Sequence, residues 1–216
     1  MNPYEASVQP ISRSLRSWQA LLPPSLNLRG QPLARSRLLL AACASAGAEG
    51  LYFGSHPEDD VFLTQTIPHT CTLIACTMML RNFSCQRGSP YLQVTDTAVE
   101  HYAWTKQYGL THDFSIGQVT VTCNADIRNC RDKKAYLINV LQYHREGVVI
   151  YDTGAPHAIW LFGYDEDTDT FYCADTITKT GGRAIPLEES IIQGATQQDK
   201  INTIDKIWYV LDAPAV

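Results

Sequence analysis

Gln65, Cys71, His157 and Asp175 are of the types that build a nucleophilic acyl-transfer site, and their positions in the chain decide whether they can act together. Cys71 falls where "QTIPHT" gives way to "CTLIACTMMLRN", at the expected start of a helix. A cysteine attacks as the thiolate, and a helix N-terminus or a nearby imidazolium lowers its pKa. Cys76, five residues on, has apolar neighbours of the kind that raise a thiol pKa, so it is expected in the core. Attack on a carbonyl creates an oxyanion that needs preorganised donors. The side-chain amide of Gln65, six residues before Cys71, and the Cys71 backbone N–H can supply two. His157 is the candidate base. Asp175 is the candidate orienting acid, which would fix the imidazole tautomer and support the imidazolium. His69 and Asp152 are candidates to contact substrate, each with an ordinary alternative: a surface loop histidine and a turn aspartate.

The surrounding pattern predicts the elements that would hold these residues. Pro68 disfavours helix in the residue before it, so "VFLTQTIP" is expected extended up to Ile67. Leu73, Cys76, Thr77 and Leu80 then share one helical face, with Ile74, Met78 and Arg81 in a neighbouring row. A helix apolar over most of its circumference is buried, and "FSCQRGSP" should end it. A second helix is expected over Thr95 to Tyr108, closed by Gly109. One strand is expected in "QVTVTC", and a third helix over 132–144. Strands follow at "GVVIYD", "HAIWLFGYD", "TFYCAD" and "IWYVL". Helices first and strands after predict an α+β fold.

The segment "PHAIWLFGYDEDTDTFYCADT" predicts a hairpin. Centred on Glu166, its cross-strand partners have numbers summing to 332, which pairs Trp160 with Tyr172, Ile159 with Cys173, Ala158 with Ala174, and His157 with Asp175. Directly opposed residues have Cβ atoms roughly 4.5–5.5 Å apart, within reach of an imidazole–carboxylate hydrogen bond. The alternative is two polar residues at strand ends with no joint role. "DEDTDT" lacks the glycine and the final glutamate of a calcium loop and is expected as a solvated turn.

At 216 residues, 45% hydrophobic and 18% charged, the composition is that of a globular chain. A net charge of −5 without a Lys/Arg cluster gives no reason to expect nucleic acid as a partner. No run approaches the length of a membrane span. Seven cysteines cannot all pair with one another; Cys123 and Cys130 either close a small loop or are two reduced thiols. No CxxC pair points to zinc, and no GxSxG, phosphate loop or HExxH is present. "RSRLLLAACASAGA" imitates a lipoprotein box at Cys43, but only five apolar residues precede the cysteine, where a signal core needs roughly 7–15. The product is therefore expected in the cytoplasm of the producing cell, or delivered from it by a route without a cleaved signal. Residues 1–55 are set apart as an N-terminal extension without an assigned role, and residues 56–216 as the catalytic domain.

Gln65, then Cys71 opening a buried helix, then His157 and Asp175 on neighbouring strands, resembles the papain-like cysteine peptidases. The resemblance is greatest to the bacterial branch of double-glycine leader peptidases, and to related short effector proteases. There the helix typically reads C-G-x-x-x-L-x-M-x-L, against "CTLIACTMML" here, and the histidine strand H-A-V-x-V-x-G-Y-D, against "HAIWLFGYD". The resemblance covers roughly residues 60–212. It implies a papain-like fold, with the nucleophile helix packed on a C-terminal antiparallel sheet. It also implies a Cys71–His157–Asp175 triad with Gln65 as oxyanion donor, a protein or peptide substrate, and no metal or organic cofactor. Thr72 stands where that family has glycine, which would narrow substrate approach. Thr176 stands where it has proline, with an effect expected only on the turn. The same triad serves acyltransferases and glutamine deamidases, and a non-catalytic binding module is the third alternative.

Overall fold

The structure, a computed structural model, describes residues 51–87, 95–103, 110, 113–116, 119–124, 126–177 and 182–211. Residues 1–50 of the N-terminal extension, and the end of the helix expected over Thr95 to Tyr108, lie outside them. The elements are β1 (Tyr52–Gly54), α1 (Cys71–Arg87), α2 (Asp96–Ala103), β2 (Phe114–Ile116), β3 (Val119–Asn124), α3 (Lys133–Tyr143), β4 (Val148–Asp152), β5 (His157–Asp165), β6 (Thr170–Asp175), β7 (Ile185–Pro186), α4 (Gln197–Thr203) and β8 (Ile204–Leu211). The fold is α+β. Its sheet runs β2-β3-β8-β4-β5-β6-β7, and β1 pairs with β5. Each of these strand pairings is antiparallel.

Side chains on a strand alternate between faces, and here both faces are covered. Val149, Ala158, Trp160, Phe162 and Trp208 pack with α1 and Val99 of α2. Val148, Ile150, Ile159, Leu161 and Ile207 pack with Leu137 and Leu141 of α3 and Ile201 of α4. That two-sided burial explains why "VVIY" and "AIWLF" are nearly continuous apolar runs rather than alternating ones. In α1 every residue from Thr72 to Leu80 is buried. The helix ends at Arg87, within the segment "FSCQRGSP" expected to end it. Asn82 anchors this last part, its Nδ2 donating to the Glu146 carbonyl at 3.1 Å and to Ser55 Oγ at 2.9 Å.

Three short strands escaped the pattern. β1 lies in the segment set apart as the N-terminal extension, yet Tyr52 pairs with Asp165 and Gly54 with Gly163. β2 and β7 are three and two residues long, too short to show a period. "VFLTQTIP" is not a strand: its first residue ends a single 3₁₀ turn, Asp59–Val61, and the rest is irregular.

The hairpin register differs from the symmetric expectation. Ile159, not His157, stands opposite Asp175; Trp160 faces Ala174 and Leu161 faces Cys173. The register then shifts between Leu161 and Gly163, so that Gly163 faces Tyr172. Two local features cause this. At the tip, Asp165 Oδ1 accepts the Asp167 and Thr168 N–H groups, and Asp169 takes a left-handed backbone (φ 53°), so the turn is centred beyond Glu166. At the shift, Phe162 is the extra residue of a bulge, and a Cβ on Gly163 would overlap the Tyr52 hydroxyl. His157 therefore lies diagonally across from Asp175, a separation of roughly 7–8 Å between backbones that a histidine side chain can span.

Candidate active site

Cys71 is the first residue of α1. The chain reaches it through a turn over Ile67–Thr70, in which Thr70 Oγ1 donates to the Ile67 carbonyl at 2.7 Å. The Thr70 carbonyl accepts the Ile74 N–H at 3.0 Å, which makes Thr70 the residue before the first helical turn. His69 completes the turn with a left-handed backbone (φ 67°) and is exposed. The half-buried thiol of Cys71 is thus placed at the positive end of a buried helix.

The His157 ring and the backbone N–H groups of Ala158 and Thr72 all act on that thiol. His157 opens β5 and is buried. Its Nε2 lies 2.8 Å from Asp175 Oδ1, which leaves Nδ1 as the nitrogen for the thiol. Asp175 closes β6 and is fully buried. Besides the imidazole it accepts the Ile177 N–H at 3.2 Å and the Ile191 N–H at 2.9 Å. Buried polar atoms need partners, and both carboxylate oxygens have them.

The electrostatics follow from these bonds. Burial pushes the Cys71 thiol up, but the hydrogen bond and charge of His157, with the two N–H groups, outweigh it and hold the thiol below the ordinary cysteine value. Burial pulls His157 down, yet its bonds to Asp175 and Cys71 and their charges carry it up to about 9. Burial raises the Asp175 carboxyl, and the His157 bond with the Ile191 and Ile177 amides brings it below the usual carboxylate range. The three shifts favour one state, a thiolate beside an imidazolium on an ionised carboxylate.

Gln65 joins the group through the residue after the acid. Its backbone N–H donates to the Thr176 carbonyl at 2.7 Å, and Thr176 Oγ1 donates to Gln65 Oε1 at 3.3 Å. With the carbonyl oxygen occupied, the Gln65 amide keeps its N–H groups to offer. Thr176, expected to affect only the turn, is fully buried and fixes this amide. Thr72 is buried, and its backbone N–H acts on the Cys71 thiol. Asp152 pairs across the strands with His157, but its Oδ1 accepts the Gly154 and Ala155 N–H groups at 2.8 and 3.2 Å, closing the β4–β5 turn. Its Oδ2 is buried without a partner among the described residues. His69 is not among the residues bonded to Cys71, His157 or Asp175.

The sequence reading missed Thr176, the Ala158 amide, and the Ile177 and Ile191 amides. Position beside a candidate was a signal for the first three. Nothing local pointed to Ile191. Cys123 and Cys130 are both free thiols. A cavity of about 420 Å³ lies over the other end of β5, lined by Tyr52, Phe62, Phe162, Asp165 and Tyr172, and none of the four candidate residues borders it. Among the described residues no helix is long and apolar enough to cross a membrane. The chain matches no protein-family model, no curated protein and no solved structure.

Because Thr176 holds the Gln65 carbonyl oxygen, the two residues should act as a unit. On the acyl-transfer chemistry that the sequence suggests, Gln65→Ala is expected to lower turnover by roughly 10²–10³, the cost of a lost oxyanion donor. Alkylation of Cys71, which develops no oxyanion, should be nearly unchanged. Thr176→Val should lower turnover in the same way but less, and add little to Gln65→Ala in the double variant. Steady-state kinetics beside alkylation rates check both.

Proposed function

We propose that the chain is a thiol hydrolase of papain-like architecture that cleaves an amide bond in a protein or peptide. The observation that carries this reading is the His157 ring hydrogen-bonded to buried Asp175 and acting on the Cys71 thiol at the N-terminal end of α1. The Cys71 thiolate attacks the scissile carbonyl carbon, and the carbonyl π electrons move to oxygen. The Cys71 backbone N–H and the Gln65 amide bind that oxyanion. His157, protonated at Nδ1, gives its proton to the leaving amine as the C–N bond breaks, leaving a thioester. A water then attacks the thioester, losing its proton to His157. The acid product departs and the Cys71 thiolate is restored. Asp175 keeps Nε2 protonated throughout and does not itself take the proton.

Acyl transfer and glutamine deamidation share the first half of this sequence and differ in what resolves or forms the thioester. Incubation with candidate proteins, followed by intact mass measurement, separates them. Fragments from wild type but not from Cys71→Ala support cleavage. A mass change without a break in the chain overturns the assignment of peptide-bond cleavage: a gain of one mass unit points to deamidation and an added acyl group to acyl transfer.

The pH dependence has a defined sign. His157 has a folded pKa above its unfolded value, so the stability it contributes is complete below roughly pH 6.5 and is lost as pH rises through about 9. The leaving amine needs the protonated ring, so kcat/KM should fall on the basic side near the same pH. It should fall on the acid side as the thiolate is protonated, below the ordinary cysteine range. A pH–rate profile checks both limbs.

A further inference from the structure

We propose that Lys200 is a positioning residue for the candidate triad: its ammonium holds Ser190–Ile192 so that the Ile191 N–H stays on the Asp175 carboxylate. The inference rests on the triad reading above and extends it to α4, which contributes none of the four candidate residues.

Lys200 is buried, 4% exposed, on α4. Its Nζ donates to the Ser190 carbonyl at 2.7 Å and to the Ile192 carbonyl at 2.6 Å. These two carbonyls flank Ile191, whose N–H meets Asp175 Oδ2 at 2.9 Å. One cation thus fixes the peptide groups on both sides of a donor to the candidate acid. The base of the lysine is itself fixed: α4 begins with a reciprocal cap in which Thr196 Oγ1 accepts the Asp199 N–H and Asp199 Oδ2 accepts the Thr196 N–H. Gly194 brings the loop against the helix so closely that a Cβ there would lie 2.6 Å from the Lys200 backbone nitrogen. Burying an ammonium is costly, and a methionine would fill similar space without that cost. What the ammonium adds over an apolar residue is the two directed bonds.

Among the described residues, the bond that Lys200 supports is one of three that Asp175 accepts, and the only one from outside β5 and the segment just after β6. Without it the 190–192 segment is free to move off the carboxylate. Asp175 and the ring it holds then lose one restraint, and His157 is no longer kept on the Cys71 sulfur. The charged and titratable groups at this end of β6 are His157 on β5, Cys173 on β6, Glu189 before the loop, and Lys200 on α4. Loosening the imidazolium acts against the thiolate.

The test uses the full chain and the pH profile of Cys71 alkylation by iodoacetamide, read by mass spectrometry. Three variants are compared with wild type: Lys200→Met, Ile191→Pro, and the double. Ile191→Pro removes the N–H directly. Ser190 already has the extended backbone (φ −67°, ψ 165°) that a following proline requires, and Ile191 is 49% exposed. Each single variant should slow alkylation at neutral pH about tenfold and move the acid limb upward by about one pKa unit. The double should be no slower than the slower single, since both remove the same bond. A fall in thermal stability alone, with the acid limb in place, is what a merely structural lysine would give, and it overturns the proposal. So does an additive double variant. If Lys200→Met does not fold, Ile191→Pro decides: an unshifted limb there overturns the proposal equally. Should wild-type Cys71 show no low-pH thiolate, the triad reading fails; should it show one that neither variant shifts, only the role of Lys200 falls.

Discussion

Cys71→Ala is expected to abolish amide cleavage and leave the fold standing. The substitution removes one half-buried sulfur at the first position of α1, while the helix keeps its buried face from Thr72 to Leu80. Changes away from the core cost little stability. Its second effect is on the ring. His157 is carried to about 9 by Asp175 and by Cys71 together, so losing the thiolate should bring the imidazole down, though not to an ordinary value while Asp175 remains. NMR titration of the His157 ring in wild type and Cys71→Ala measures this. An unchanged titration would mean that the thiol and the ring do not form a pair. The partner variant, His157→Ala, should keep Cys71 in place and lower turnover by roughly 10²–10⁴, the range of a lost general acid–base.

Asp175→Ala should have the largest effect on stability of any change in the site. It leaves a buried imidazole and the amides of Ile177 and Ile191 without an acceptor. Each unsatisfied buried donor costs about 1–3 kcal/mol, and breaking a buried charged pair costs roughly 3–5 kcal/mol in total. Against a typical stability of about 5–15 kcal/mol this is a large share. Asp175→Asn should be milder for the fold and for chemistry, because an amide oxygen still accepts the Nε2–H, as in Cys-His-Asn triads, while loss of the carboxylate charge should bring the His157 pKa down. Thermal unfolding and kinetics on the two variants separate the roles. Equal losses of stability in both would mean that Asp175 acts through its charge alone and not through its acceptor geometry.

Much of the site was legible because local signals placed its parts. Pro68 and the apolar face beginning at Leu73 locate the start of α1 at Cys71. The runs "HAIWLFGYD" and "TFYCAD" coincide with β5 and β6 residue for residue. The pairing between them was not legible. A bulge at Phe162 and a turn displaced toward Asp169 move the register by two residues, and the bulge serves a contact with Tyr52 on a strand more than a hundred positions earlier. His157 and Asp175 still meet because a diagonal pair on one face is within side-chain reach. Thr176 and Lys200 were hidden for the same reason. Their partners, Gln65 at a separation of 111 residues and the Ser190–Ile192 carbonyls, are set by packing and not by any period of the chain. Asp152 was legible only as a polar residue near His157. Its bonds to Gly154 and Ala155 show the work of a turn aspartate.

The central claim is that His157 and Asp175 shift Cys71 toward the thiolate, below the ordinary cysteine value. Site-resolved alkylation of the wild-type chain with iodoacetamide across pH tests this most directly. Cys76 and Cys173 are wholly buried with thiols pushed up by that burial, and Cys85 and Cys123 are likewise raised, by burial first. Cys71 should therefore label fastest of these cysteines at pH 6–7, with a midpoint below the ordinary cysteine value. That midpoint should move upward in His157→Ala. Equal labelling of Cys71 and Cys85 at neutral pH, with the same midpoint in wild type and His157→Ala, would contradict it.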